Sequence, residues 1–420
     1  MKILIKSADI LDPGNSFHKK KKNVLIENGI IKSVSDKDFK ADEVIDATGL
    51  KLSPGWFDMR CAIRDPGFEY KEDINSVSMA AAAGGYTGIA CLPNTNPVIQ
   101  TKDVISYIKT KAAGTILDIY PIAALTIGSK GEELTEMIDL HYGGAVAFSD
   151  GNKPVWHSDV LYKALQYIQT FGGLLIEHAE DKYLTMGGQM NEGKISTSLG
   201  LKGIPKISEE LIIERDLKML EYSGGRIHFS HISSPKSLDM IRSAKRKGLN
   251  VTCDIAVYQL VFDDSQLIGF DTNLKVNPPI RAKEDLKYFW KAIEDDTIDV
   301  IVTDHNPQDE ESKNTEFDQA DFGMIGLETA FAAFNTFNRD IKLEKFVEKV
   351  TIAPRKILKL DLPKIKEGEH ANLTLFDPDK EWIFSKENIR SKSKNSPFIG
   401  KKLKGKVVAV FNKNKYLLNV

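Results

Sequence analysis

The sequence predicts an α/β protein: a (β/α)8 barrel carrying a small composite β-sandwich domain formed by its N- and C-terminal segments. Three observations carry this. Short apolar runs alternate with amphipathic stretches from Leu52 to about residue 360. Most runs are closely followed by a polar or charged residue, as expected where the loops at the C-terminal ends of barrel strands carry chemistry. Strand texture appears at both chain ends, outside that region. At 420 residues the chain exceeds one ordinary compact domain and suits a barrel of roughly 250 residues or more with an appendage. The division expected is 1–52 plus 363–420 for the composite β domain and 53–362 for the barrel.

In chain order, the first fifty residues read as strands at Ile3 to Ile5, Val24 to Ile26 and Ile30 to Val34. The turn signals Asp12-Pro13-Gly14-Asn15 and Asn28-Gly29 separate them. The Lys19 to Lys22 run precedes a strand and reads as a solvated hairpin loop. Eight barrel strands are expected at Phe57 to Ile63, Gly88 to Leu92, Ile116 to Tyr120, Ala145 to Phe148, Leu174 to Ile176, Arg226 to Phe229, Asn250 to Thr252 and Val300 to Val302. Strand texture returns at Ala371 to Phe376 and Gly405 to Lys413. This pattern is that of a TIM barrel with a β unit built from both ends.

Composition removes several classes of function. A formal charge of −2 and an isoelectric point near 6.5 leave no excess of basic surface for a phosphate backbone, so no nucleic-acid partner is expected. Cys61, Cys91 and Cys253 lie far apart without a CxxC, which argues against a disulfide framework or a zinc ribbon and fits a reducing cytoplasm. The start MKILIKSADILDPG is broken by Lys6 and Asp9, and no run approaches about 18 apolar residues. Neither a signal peptide nor a membrane span is expected.

The polar residues at strand ends are Asp58, Arg60 and Arg64, then Asn94, Asp150, His178, His231, Asn277 and Asp304. Two histidines and two aspartates on separate strand ends suit a metal site assembled by a barrel rather than by a local loop motif. The stretch Pro54-Gly55-Trp56-Phe57-Asp58-Met59-Arg60-Cys61-Ala62-Ile63-Arg64-Asp65-Pro66-Gly67 through Lys71-Glu72-Asp73 resembles the PGFIDxHxHLREPGxExKED signature of dihydroorotases. Further similar signatures follow in order: Leu92-Pro93-Asn94-Thr95-Asn96-Pro97, Phe148-Ser149-Asp150, Glu177-His178-Ala179-Glu180, His231-Ile232-Ser233, Val276-Asn277-Pro278-Pro279-Ile280-Arg281, Thr303-Asp304-His305 and Gly326-Leu327-Glu328-Thr329. The resemblance continues through Asn395-Ser396-Pro397-Phe398 and Leu403 to Val408, so it spans essentially the whole chain.

The resemblance implies a cyclic amidohydrolase interconverting N-carbamoyl-aspartate and dihydroorotate in pyrimidine biosynthesis. It implies Asp150 as a bridging metal ligand, His178 and His231 as ligands of a second metal, and Asp304 as ligand and general acid/base. Arg64, Asn94 and Asn277 would grip the substrate. A substrate-contacting histidine of the family is replaced by Gln308, in a loop from Pro307 to Phe322 that covers the site in the family. The family's His-x-His pair, which holds the first metal, is replaced by Arg60-Cys61-Ala62.

That departure has chemical weight. Residues i and i+2 of a strand share a face, so Arg60, Ala62 and Arg64 should project toward the barrel mouth. Alanine offers no lone pair, and a guanidinium stays protonated. A monocation about 4 Å from a dication costs on the order of 8 kcal/mol at an effective dielectric near 20. Arg60 should instead occupy the vacated cation position, paired with Asp304 or Asp150. At most one zinc per chain is then expected, and possibly none. Cys61 should face outward as a buried thiol.

Two functions follow: an impaired or inactive dihydroorotase homologue serving assembly, for instance with aspartate transcarbamoylase, or an active dihydroorotase with one zinc held by Asp150, His178 and His231. Another cyclic-amide hydrolase, of hydantoinase or allantoinase type, would not call for this carboxylate-binding set. The resemblance also implies a homodimer.

Overall fold

The computed structural model describes residues 1–419. The chain opens with β1 (Lys2–Ile10), β2 (Lys21–Glu27), β3 (Ile30–Ser35), β4 (Glu43–Asp46) and β5 (Lys51–Pro54). The barrel strands follow: β6 (Trp56–Cys61), β7 (Tyr86–Cys91), β8 (Asp118–Ala123), β9 (Ala147–Phe148) and β10 (Leu175–Glu177). A two-stranded ribbon, β11 (Met190–Asn191) with β12 (Gly203–Ile204), interrupts the series. It resumes with β13 (Ile227–Phe229), β14 (Val251–Ala256) and β15 (Val300–Val302), and the chain ends on β16 (Asn372–Ile383), β17 (Lys402–Asn412) and β18 (Lys415–Leu418).

The eight strands β6, β7, β8, β9, β10, β13, β14 and β15 pair in sequence order, all parallel. Every residue of β6 and β7 is buried. That is why these strands read as continuous apolar runs: helices cover the outer face and side chains fill the inner one. The seam between β6 and β15 closes just past the strand ends, where Cys61 and His305 form a parallel bridge and the Ala62 N–H donates to the His305 carbonyl at 2.8 Å. Beneath the bridge, buried Asp58 accepts from the Thr303 N–H at 3.0 Å and from the Thr303 hydroxyl at 2.5 Å.

Both chain ends contribute to one eight-stranded sheet of order β18-β17-β16-β5-β1-β2-β3, with β4 also paired to β1. Its apolar face buries Ile3, Ile5, Val24, Ile26, Leu373, Leu375 and Phe411. Trp56, the first residue of β6, links this sheet to the barrel. Its ring lies 5.3 Å from Phe376 of β16 and 5.2 and 5.5 Å from Phe331 and Phe346 on the helices Ala330–Phe337 and Leu343–Ile357. Edge and tilted aromatic contacts of this kind add about 0.5–1.5 kcal/mol each beyond area burial.

Some expected boundaries move. The third barrel strand runs from Asp118 to Ala123 rather than from Ile116 to Tyr120, because the chain is still in a Thr115-centred turn there. The strands β4, β5 and β18 were not anticipated; β4 alternates half-buried and exposed residues and has no apolar run to announce it. The first barrel strand ends at Cys61, so Ala62 and Arg64 lie beyond it. Arg64 has φ 60° in the left-handed region, so two-residue alternation does not extend to it. All three cysteines are free and buried. Among the described residues no helix is long and apolar enough to cross a membrane.

Burial pushes the Asp58 carboxyl up to about 7, with the Thr303 hydrogen bonds opposing that rise. A folded-state value raised above the unfolded one gives stability that is present below the unfolded value and is lost as pH rises through the folded one. Asp58→Asn can keep both Thr303 contacts without titrating. Wild type should therefore gain thermal stability relative to Asp58→Asn, by a few degrees, as pH falls from 7.5 to 4.5; paired melting curves at the two pH values check this.

Candidate functional site

A cavity of about 340 Å³ opens at the barrel mouth, walled by Arg64, Lys71, Asn152, His178, Asn277 and Gln308 among others. These residues come from the segments after β6, β9, β10 and β15 and from the loop after β14, so the cavity lies at the C-terminal end of the barrel, where such folds place their chemistry.

Arg60 sits under this cavity, 2% exposed. Its Nε donates to Asp304 Oδ1 at 2.7 Å, one Nη to Asn152 Oδ1 at 2.7 Å and the other to the Ser230 hydroxyl at 3.4 Å. Asp304 was one of the two carboxylates expected to meet it. The second Asp304 oxygen accepts from the Tyr258 hydroxyl at 2.7 Å, so both oxygens are engaged. Burial pushes the Asp304 carboxyl up, and the charge of Arg60 with the Tyr258 and Arg60 hydrogen bonds pulls it back.

Asp150, the other carboxylate, turns away from Arg60. It accepts from the Thr126 N–H at 2.9 Å and the Thr126 hydroxyl at 2.5 Å. Burial raises its carboxyl and these bonds oppose the rise. His178 and His231 lie together, ring centroids 4.8 Å apart. His178 Nε2 is 3.2 Å from Glu180, which also accepts from Asn277 Nδ2 at 2.6 Å. Burial opposes ionisation of Glu180, yet His178 and Asn277 hold it down at about 2.

His231 differs: both ring nitrogens are buried without a hydrogen-bond partner. Burial, followed by the charge of Arg60, drives its basicity well below the usual histidine range, so it is a neutral imidazole. Beneath it Asp254 gathers the His231 N–H at 2.5 Å, the Ser230 hydroxyl at 3.1 Å and His228 Nε2 at 2.8 Å.

The remaining expected residues separate. Asn277 and Gln308 line the cavity. Gln308 also ties the covering loop down, its Oε1 accepting from Lys71 at 2.6 Å and its Nε2 donating to the Phe322 carbonyl at 2.7 Å. Arg64 lines it too, donating to the Pro307 carbonyl at 3.2 Å and to Asn306 Oδ1. Asn94 instead braces the loop after β9, bonding the Asp150 carbonyl at 3.1 Å and the Asn152 N–H at 3.1 Å. Sequence reasoning passed over Asn152, Lys71, Tyr258 and Ser230. Lys71 lies inside the quoted signature and Asn152 is two residues past Asp150; nothing local marks Tyr258 or Ser230.

The donor set does not fit the family's zinc pair. Ala62 has no ligand atom and Arg60 places a cation against Asp304, which would have to bind the first metal. At the second position, Asp150 is bonded to Thr126 and His178 to Glu180, leaving His231 with free nitrogens. Among the described residues no three His, Cys, Asp or Glu side chains gather as a metal site.

Arg64, His231 and Asp304 all have positive φ, 60°, 44° and 48°. Such backbone costs of order 1–3 kcal/mol per residue and persists where the surroundings enforce it.

Comparison with known proteins identifies the family. A family model described as "Dihydro-orotase-like" matches residues 49–237. The dihydroorotase of Syntrophus aciditrophicus is 41% identical over 415 residues, 97% of each chain. That of Geotalea daltonii is 42% identical over 411 residues, 96% of each. Among solved structures, the L-hydantoinase (dihydropyrimidinase) of Arthrobacter aurescens superposes with a TM-score of 0.87 at 23% identity, covering 100% of this chain and 97% of that one. With such relatives matched from end to end, the chain belongs to the dihydroorotase family.

Proposed function

We propose that this chain is a dihydroorotase homologue in which recognition of a small carboxylated ring is retained while metal-dependent ring opening is lost or strongly impaired. The observation that carries the reading is the 2.7 Å contact of Arg60 Nε with Asp304, in the place of the missing His-x-His pair. Opening an unactivated cyclic amide needs a strong nucleophile and a polarised carbonyl, and binuclear members obtain both from metal-bound hydroxide. Here the residue that would bind metal and move the proton is committed to a guanidinium and a phenol. A dication entering about 4 Å from that guanidinium meets a repulsion on the order of 8 kcal/mol at an effective dielectric near 20. At most one zinc per chain is part of this proposal.

Retained recognition is supported by Arg64, whose two hydrogen-bond acceptors are neutral and whose remaining N–H groups can hold a carboxylate. Asn277 and Gln308 add polar contacts on the same cavity. A pyrimidine-pathway role in the cytoplasm, a homodimer and an assembly role with aspartate transcarbamoylase extend the proposal and are tested by co-purification and light scattering.

A second reading, an active enzyme with one zinc, is favoured by one observation: the two unpartnered nitrogens of His231 beside His178. It requires Asp150 to release Thr126 and His178 to release Glu180. The hydantoinase likeness, at 23% identity, speaks for the fold.

Dihydroorotate hydrolysis with added zinc separates the readings. Wild type should lie at least about a thousandfold below Arg60→His/Ala62→His, a deficit of roughly 4 kcal/mol at about 1.4 kcal/mol per decade; turnover of wild type at ordinary enzymatic rates would refute the impairment. Stability gives an independent check. Arg60→Met strands the buried Asp304 charge and should cost about 3–5 kcal/mol in urea unfolding. Adding Asp304→Asn to Arg60→Met should recover most of that loss.

A further inference from the structure

We infer that the mouth cavity selects a cyclic monoanion over the open-chain dianion of the same skeleton, so that this chain favours the ring-closed ligand. The inference rests on the reading that the cavity still recognises a ring carboxylate, and adds which ligand form the site takes.

The charges on the cavity wall carry it. Arg64 is the cation there whose hydrogen bonds go to uncharged acceptors, the Pro307 carbonyl and Asn306. Five guanidinium N–H groups less those two leave a fork open for one carboxylate. Lys71, the other wall cation, is already countered: its ammonium meets Asp321 at 3.0 Å and Asp309 at 3.4 Å, and donates to Gln308 at 2.6 Å. Two carboxylates therefore face its single positive charge, and two of its protons are hydrogen-bonded, to Asp321 and Gln308. His178 faces the Glu180 carboxylate at 3.2 Å, so it adds no unopposed positive charge. Arg60 lies behind Asn152, bonded to Asp304, Asn152 and Ser230.

Hydrolysis breaks the ring C–N bond and adds water: the water oxygen turns the ring carbonyl into a second carboxylate, one of its protons goes to the departing nitrogen and the other is released to solvent. The monoanion becomes a dianion. One open cation matches one carboxylate. The second would have to break the Lys71 pairs or stand near Asp321 and Glu180, both like charges, in a site where pairing decides whether a charge is tolerated. With Arg60 fixed to Asp304, no free cation on the described wall receives it.

Isothermal titration of the full-length protein tests this with dihydroorotate, N-carbamoyl-aspartate and the uncharged ring dihydrouracil, each recovered afterwards and checked for conversion. Dihydroorotate should bind at least tenfold more tightly than either of the others. In Asp321→Asn, whose carboxylate side chain is 53% exposed, Lys71 loses one counter-charge and the gap to N-carbamoyl-aspartate should narrow several-fold. Equal or tighter binding of the dianion, or an Asp321→Asn gap that does not move, overturns the inference while leaving retained recognition standing. Binding of none of the three, or of dihydrouracil as well as dihydroorotate, overturns retained recognition and the inference with it.

Discussion

A guanidinium closed inside a barrel mouth needs a carboxylate, and a carboxylate there needs a cation. The Arg60–Asp304 pair meets both needs at once. Removing either partner leaves a buried charge whose desolvation exceeds anything a surface ion pair returns. Surrounding residues are arranged accordingly: Tyr258 donates to the free oxygen of Asp304, while Asn152 and Ser230 accept from the guanidinium. The same charge helps keep His231 neutral. The guanidinium thus supplies the positive charge that the buried Asp304 carboxylate needs.

The Arg60–Asp304 pair and the scaffold beneath it are held by separate sets of contacts. Asp58 and Thr303 join β6 to β15 below the site, and the Cys61–His305 bridge closes the seam above them. Asp254, with His228, Ser230 and the His231 backbone, fixes the far wall. None of these contacts requires an ion. The left-handed backbone at Arg64, His231 and Asp304 is therefore held by hydrogen bonding and packing, and the cavity keeps its shape.

Much of this was legible in the sequence, for identifiable reasons. The barrel strands are buried on both faces, so their apolar runs stand out, and Asp150, His178, His231 and Asp304 follow them in a recognisable order. The pairing of Arg60 with a site carboxylate followed from the family resemblance, which puts Arg60 at a metal-ligand position beside Asp304 or Asp150, together with its charge. Its full set of partners did not, because Asn152 and Ser230 lie 92 and 170 residues away and meet Arg60 only when the barrel closes. Asn94 has a contact the sequence did not announce: its position in a signature suggested a substrate contact, and its side chain also bridges Asp150 and Asn152. The charge state of the cavity was likewise invisible, since Lys71 is countered by Asp321 across 250 residues.

The central claim is that Arg60 and a first metal exclude each other. The most direct measurement is a high-resolution crystal structure of the protein equilibrated with excess zinc, with metal counted per chain in the same sample. The account predicts Arg60 Nε within hydrogen-bond distance of Asp304 and at most one zinc per chain. Two tightly bound zinc ions, with Arg60 swung away from Asp304, would contradict it.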